Sequence, residues 1–187
     1  MSLLQELRAA TRDVHDRLEL DLDVLQRSRS APSYAALLVG FRSVYRPLEQ
    51  ALTACAATLL TVPDWPQRHK CGWLDADLAA LGVGRDEPAA DVPAVRTAED
   101  VAGTLYVMEG ATLGGAVVVR ELAAAFPVLP PHEFFSSYGA SRGVRWRDFR
   151  RHVEALERRG ADRDAVVAAA TATFATLERA CLQPAAP

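Results

Sequence analysis

Apolar residues recur at three- and four-residue steps almost from the start of the chain. Leu7, Thr11, Val14, Leu18, Leu22 and Leu25 share one helical stripe, and Ser2 with Gln5 forms a capping-box pattern ahead of it. Together they predict a first helix over about residues 3–27. Ser28 to Pro32 reads as a turn, after which Ser33 caps a second helix reaching about Leu60. Pro47 falls inside that run, where it lacks a donor and crowds the preceding turn, so a kink or break is expected there. Pro63, Pro66 and Gly72 punctuate an irregular connection from Thr61 to Gly72, with Trp65 and Trp73 as core buttresses, and a short helix from Trp73 to Leu81 ends at Gly82.

After a surface loop from Gly82 to Arg96, Thr97 and Asp100 mark the start of a long helix that Pro127 stops after Phe126. Pro130-Pro131 opens a short segment from His132 to Ser137, and Tyr138 to Gly143 is a second irregular connection. Helices over Val144 to Arg159 and Asp164 to Leu182 follow, separated by Gly160 as a C′ residue and Asp162 as an N-cap. There is no internal repeat, and period-two alternation is nearly absent. The expected fold is all-α, as a single domain over residues 1–187.

Composition narrows the function classes without choosing one. Net charge is −3, from 21 basic and 24 acidic residues, which gives no electrostatic reason to expect nucleic acid. Cys55, Cys71 and Cys181 are far apart and odd in number, so neither a disulfide framework nor a zinc site is suggested, and a reducing cytoplasmic setting fits. Glu6, Arg8, Arg12 and Asp13 interrupt any N-terminal apolar run, and no stretch of about 18 apolar residues occurs, so neither a signal peptide nor a membrane span is read.

Candidate chemistry lies in two places. The run Tyr106-Val-Met-Glu-Gly110-Ala-Thr-Leu-Gly114-Gly115 puts three glycines within six residues of a helical segment. Each costs about 1 kcal/mol relative to Ala there, so something approaches the backbone closely: a neighbouring helix, or a large flat ligand such as haem. In the first helix, His15 shares a face with Arg8, Thr11, Glu19 and Leu22. Imidazole is the commonest haem-iron ligand, Glu19 has the reach to fix its tautomer, and Arg8 suits a haem propionate. A lone helical His is more often structural, and His69, His132 and His152 compete, but none has a comparable apolar groove on its own helix.

These residues resemble a family. Leu7-Arg8-Ala-Ala-Thr11-Arg-Asp-Val-His15-Asp-Arg-Leu-Glu19 resembles the proximal-helix motif of the haem oxygenases, with a basic residue, a Thr, the iron-ligating His and a Glu at the same offsets. The glycine run resembles their distal helix, in the Y-V-x-E-G-x-x-L-G-G form of bacterial members linked to bacteriophytochromes. Gly143-Val-Arg-Trp146-Arg-Asp-Phe149, followed by Leu156, resembles their late helix, so the likeness spans Leu3 to about Leu182.

The resemblance implies oxidative cleavage of haem by O₂ and electrons to biliverdin, CO and iron. Haem is then both cofactor and substrate, ferredoxin or a reductase the electron donor, and a bacteriophytochrome a biliverdin acceptor. It implies His15 as the iron ligand and Arg8, Thr11, Glu19, Tyr106, Tyr138 and Arg150 as haem-pocket residues, the two tyrosines and Arg150 with structural or solvated roles as equal rivals. Gly110, Gly114 and Gly115 would lie over the distal face, with Gly110, Gly114 and Thr112 at the reacting centre. One position departs from the pattern: where many members carry Asp directly after the first distal glycine, this chain has Ala111. Acid catalysis then falls to backbone-held water or to Thr112, with Glu109 as another nearby group.

Two rivals belong to other classes. A haem-binding or regulatory protein of the same fold would leave haem intact, and Ala111 is its main support. A di-iron helical bundle requires E-x-x-H pairs, and no Glu in the chain is followed by His at that spacing.

Overall fold

The computed structural model describes residues 1–55, 64–84 and 88–182, and among these every regular element is helical. Helix α1 spans Leu3–Leu22 and opens on the expected box: Ser2 Oγ accepts from Gln5 N at 3.3 Å, and Gln5 Oε1 accepts from Ser2 N at 2.8 Å. It stops earlier than the apolar stripe suggests. Asp23 adopts a left-handed conformation with φ 36° and its carboxylate accepts from Gln26 N at 3.2 Å, so the residue that ends α1 also caps α2, Val24–Arg27. The two pieces pack against different helices.

Helix α3, Ala31–Cys55, begins one turn before the expected cap, with Ser30 Oγ accepting from Ser33 N at 3.4 Å and Pro32 tolerated in the first turn. It is not broken at Pro47. The carbonyl that Pro47 cannot bond, that of Ser43, instead accepts Ala90 N at 3.0 Å from the long loop. The expected helix end at Leu60 and the connection from Thr61 to Pro63 lie outside the described residues. A 3₁₀ turn, Trp65–Arg68, leads to α4, Cys71–Ala80, which ends beside Gly82 at φ 74°.

The long helix α5, Ala98–Ala125, starts on a second capping box, with Asp100 N donating to Thr97 Oγ1 at 3.1 Å and Thr97 N to Asp100 Oδ2 at 3.0 Å. A 3₁₀ turn at Gly139–Ser141 precedes α6, Arg142–Arg158, and α7 covers Arg163–Leu182, with Asp162 Oδ1 accepting from Ala165 N at 3.1 Å.

Helix α7 is the common partner, packing on α1, α3 and α5, while α6 packs on α1 and α5, and α2 on α3 and α5. Close approach is bought with glycine: a Cβ on Gly40 would lie 2.7 Å from Ala180 O, and one on Gly103 would lie 2.7 Å from Ala169 Cβ and collide with the carbonyl of Val166. Small-residue helix packing is therefore real in this protein, but mostly at glycines outside the 110–115 run. By length and composition α5 and α7 could each cross a membrane, which differs from the sequence expectation. They are packed against each other in the core, which accounts for their apolar character. Among the described residues Cys55, Cys71 and Cys181 form no disulfide with one another.

Candidate functional site

The first wall is the outer face of α1. His15 is 56% exposed, and its Nδ1 lies 3.2 Å from Asp16 Oδ1 and 4.0 Å from Glu19 Oε2. A carboxylate accepting from Nδ1–H leaves the Nε2 lone pair available and raises its basicity, the usual arrangement for a metal-ligating imidazole. Phe174 of α7 stands edge-on to the ring at a centroid distance of 6.1 Å and steadies it from behind. His15, Asp16 and Glu19 place their ligand atoms within 4.8 Å of one another. Asp16, the nearer carboxylate, was missed by the sequence reading, which looked one helical turn ahead rather than at the adjacent residue.

Thr11 is buried and donates to Leu7 O at 2.7 Å, so its hydroxyl is satisfied within its own helix. Arg8 is exposed on α1, and Arg150 is exposed on α6. Tyr106 is half-buried one turn before Gly110, its ring 6.3 Å from that of Trp146, which lies one turn before Arg150 on α6.

The second wall is α5, and its glycines divide into two kinds. At Gly110 and Gly114 a Cβ would meet nothing within 4 Å. Together with Leu113 and Val117, 39% and 38% exposed, they form an open, weakly apolar face free of side-chain bulk. Gly115 differs: a Cβ there would collide with the carbonyl oxygen of Phe135 and sit 3.2 Å from Phe135 Cα. Its missing side chain serves packing, not the open face. Thr112 also points inward, buried and donating to Glu109 O at 2.6 Å. The two walls approach where Glu19, Asp23, Val24 and Leu25 face Val117, Val118, Glu121 and Leu122 across a cleft of about 130 Å³. His15 precedes Glu19 by one turn, and Gly114 precedes Val117 and Val118 by one turn.

Behind α5 lies a polar cluster that the sequence did not reveal. Glu109, Arg68 and Lys70 are each 1% exposed or less. Glu109 Oε2 accepts from Arg68 at 2.7 Å, and Oε1 accepts from Lys70 Nζ at 2.7 Å and from Tyr138 OH at 2.9 Å. Burial pushes the Lys70 ammonium below its ordinary value, opposed by the Glu109 charge, and burial followed by that same charge pushes the Tyr138 phenol up. Tyr138 thus faces this cluster, and Glu109 is buried within it. The one available signal was a charge inside the apolar run Val107-Met108-Glu109.

The remaining histidines are otherwise engaged. His69 Nε2 lies 3.3 Å from Thr53 Oγ1, and His132 Nδ1 lies 2.8 Å from Pro130 O. His152 is buried, and burial, then Arg159 and Arg68, hold its imidazole below the ordinary value. A larger open depression of about 450 Å³, lined by Arg46, Glu49, Gln50, Thr53, Ala54, His69 and Cys71, touches neither motif.

The site suits haem on its own chemistry. It offers one imidazole with a carboxylate-held Nδ1, and a helix face whose glycine positions carry no side-chain bulk. The family model described as Heme oxygenase matches residues 1–182. A curated relative named heme oxygenase, from Xanthomonas campestris pv. campestris (strain 8004), is 31% identical over 146 residues, covering 78% of this chain and 86% of the relative. The fold is that of the heme oxygenase from Leptospira interrogans, with a TM-score of 0.77 at 19% identity over 97% of this chain and 99% of that one. It is also that of the heme oxygenase from Neisseria meningitidis solved with NO and CO bound, with a TM-score of 0.75 at 21% identity over 97% and 92% of the two chains.

Proposed function

The chain belongs to the heme oxygenase family, and on that premise we propose that it cleaves haem oxidatively to biliverdin, CO and iron, with His15 as the iron ligand. The observation that carries the reading is the pairing of His15, Nδ1 held by Asp16 at 3.2 Å, with the Cβ-free face at Gly110 and Gly114. Haem, when bound, supplies the iron at which O₂ and electrons meet. The chain's own residues do the rest. Asp16 and Glu19 orient the imidazole, and Phe174 backs it. Gly110 and Gly114 keep side-chain bulk away from the reacting face, and Leu113 and Val117 offer it an apolar surround. Arg8 and Arg150 are exposed cations of the kind that meets propionates, and Tyr106 packs beside Arg150's helix.

Family membership implies a separate electron donor, a reductase or ferredoxin. One domain over residues 1–187, a cytoplasmic setting and delivery of biliverdin to a bacteriophytochrome complete the proposal. The three widely spaced cysteines support the second of these, and the Tyr106-to-Gly115 motif the third.

The test is optical. Haem-loaded protein given reductant and O₂ should lose its Soret band as biliverdin absorbance appears, and His15→Ala should abolish the native haem spectrum and the turnover. A Soret band that persists under these conditions would identify a haem-binding protein that leaves its ligand intact. Unaltered spectra in His15→Ala would remove the proximal assignment.

A further inference from the structure

Glu109 sits directly before Gly110, and its side chain is the hub of the buried cluster. Each partner arrives from a different element. Arg68 closes the 3₁₀ turn, Lys70 is the N-cap of α4, and Tyr138 ends the segment that leads into α6. Arg68 also donates to the carbonyl of Arg145, on the first turn of α6, at 3.3 and 3.2 Å, and shares Asp64 with the Arg145 side chain. One carboxylate therefore ties the glycine turn of α5 to α4 and to α6, the helix that carries Arg150.

Two features set this apart from ordinary packing. Tyr138 has φ 67°, a left-handed conformation that is strained for a residue with a Cβ. It is held there by its hydroxyl bond to Glu109 and by a ring enclosed by Lys70, 5.0 Å from the centroid, Arg145 at 5.5 Å and Trp73, edge-on at 5.6 Å. Buried charges, moreover, are a poor way to gain stability, since apolar residues of similar volume do as well; what they do well is fix geometry. A strained residue and a desolvated ion cluster meet one residue from the proposed reacting face.

Resting on the functional reading above, we propose that Glu109 is a positioning residue for haem cleavage. Through Arg68, Lys70 and Tyr138 it fixes the backbone at Gly110–Gly114 relative to α6, and so selects which porphyrin meso carbon is presented for attack. It does not touch haem. Its influence is on where the ligand's two supports stand with respect to each other, a property that tolerates very little displacement.

The experiment compares the full-length protein with Tyr138→Phe and with the double variant Glu109→Gln/Lys70→Met, which removes one buried charge of each sign. Far-UV circular dichroism checks the fold, haem titration the affinity, and chromatography of the verdin product the ratio of isomers. Both variants should fold and bind haem within about threefold of the parent, while turnover falls by roughly tenfold or more and the isomer ratio shifts by at least about threefold. Should the double variant not fold, Tyr138→Phe, which deletes a single oxygen, decides. Variants that bind haem and retain the parent's rate and isomer ratio would overturn the proposal alone. A parent that binds haem and forms no verdin would overturn both it and the functional reading.

Discussion

Gly114 and Gly115 are adjacent, yet adding one methyl group to each should have opposite effects. In the interior of α5 a Gly to Ala change gains about 1 kcal/mol of helix propensity. At Gly114 nothing within 4 Å opposes that gain, so Gly114→Ala should stabilise the haem-free protein by about 1 kcal/mol. At Gly115 the methyl meets backbone, the Phe135 carbonyl oxygen in collision and Phe135 Cα at 3.2 Å. Phe135 cannot yield cheaply. It is buried, its ring packs on Phe41 and Phe134, and the preceding residue is pinned by Phe134 N donating to Asp77 at 2.9 Å. Overpacking costs about 1–3 kcal/mol, and a clash with backbone stands in the upper part of that range, about 2–3 kcal/mol, so after the propensity gain Gly115→Ala is left destabilised by about 1–2 kcal/mol.

For a chain of this length each kcal/mol moves the melting temperature by about 2–4 °C. Thermal unfolding of the haem-free variants, followed by circular dichroism, should therefore show Gly114→Ala melting about 2–4 °C above the parent and Gly115→Ala roughly 2–8 °C below it. Turnover separates them in the other sense: Gly114→Ala should lose activity despite its greater stability, because its methyl enters the face proposed for haem. Equal shifts of the same sign, or a Gly114→Ala protein that is more stable and fully active, would refute the division of the glycines into an open pair and a packed one.

Two further changes test the surroundings of the site. Burial holds His152 below its ordinary value of 6.5, so the unfolded chain takes up that proton first; stability should fall as pH drops below 6.5 toward the folded-state value. Denaturant midpoints at pH 7.5 and pH 5.5 should differ in that direction, with the gap narrowed in His152→Gln, and an unchanged gap would mean the slope comes from other groups. Thr112→Val should cost about 1 kcal/mol of stability through its lost bond to Glu109 O, and leave turnover within about threefold of the parent. A loss of tenfold or more in turnover with haem affinity intact would return Thr112 to the reacting centre.

What could be read from the sequence was local. Both capping boxes and the Asp162 cap involve residues within a single turn, and they stand where their residue types suggest. His15 and Glu19 are likewise one turn apart, so their shared face followed from helical geometry. The misses are non-local or masked by a continuing pattern. The apolar stripe passes through Asp23 unbroken, although the chain turns there and α2 packs on α3 and α5 while α1 packs on α6 and α7. The bond from Ala90 to the Ser43 carbonyl, which keeps α3 whole at Pro47, joins residues whose encounter no periodicity foretells. Gly114 and Gly115 look alike until Phe135 is known to lie against one of them.

The same non-locality decides where a proton for the proposed chemistry can come from. Ala111 supplies none, and the two nearby groups that the sequence offered in its place are both committed elsewhere. Both oxygens of Glu109 are taken, one by Arg68 and the other by Lys70 and Tyr138, and its side chain is buried in that cluster. Thr112 gives its proton to Glu109 O, so it has none to donate to that face while the bond stands. Ala111, Leu113 and Gly114, by contrast, are open to solvent. Water held along the exposed backbone is thus the proton source that the arrangement supports, and the buried acid beside it acts by holding that backbone in place.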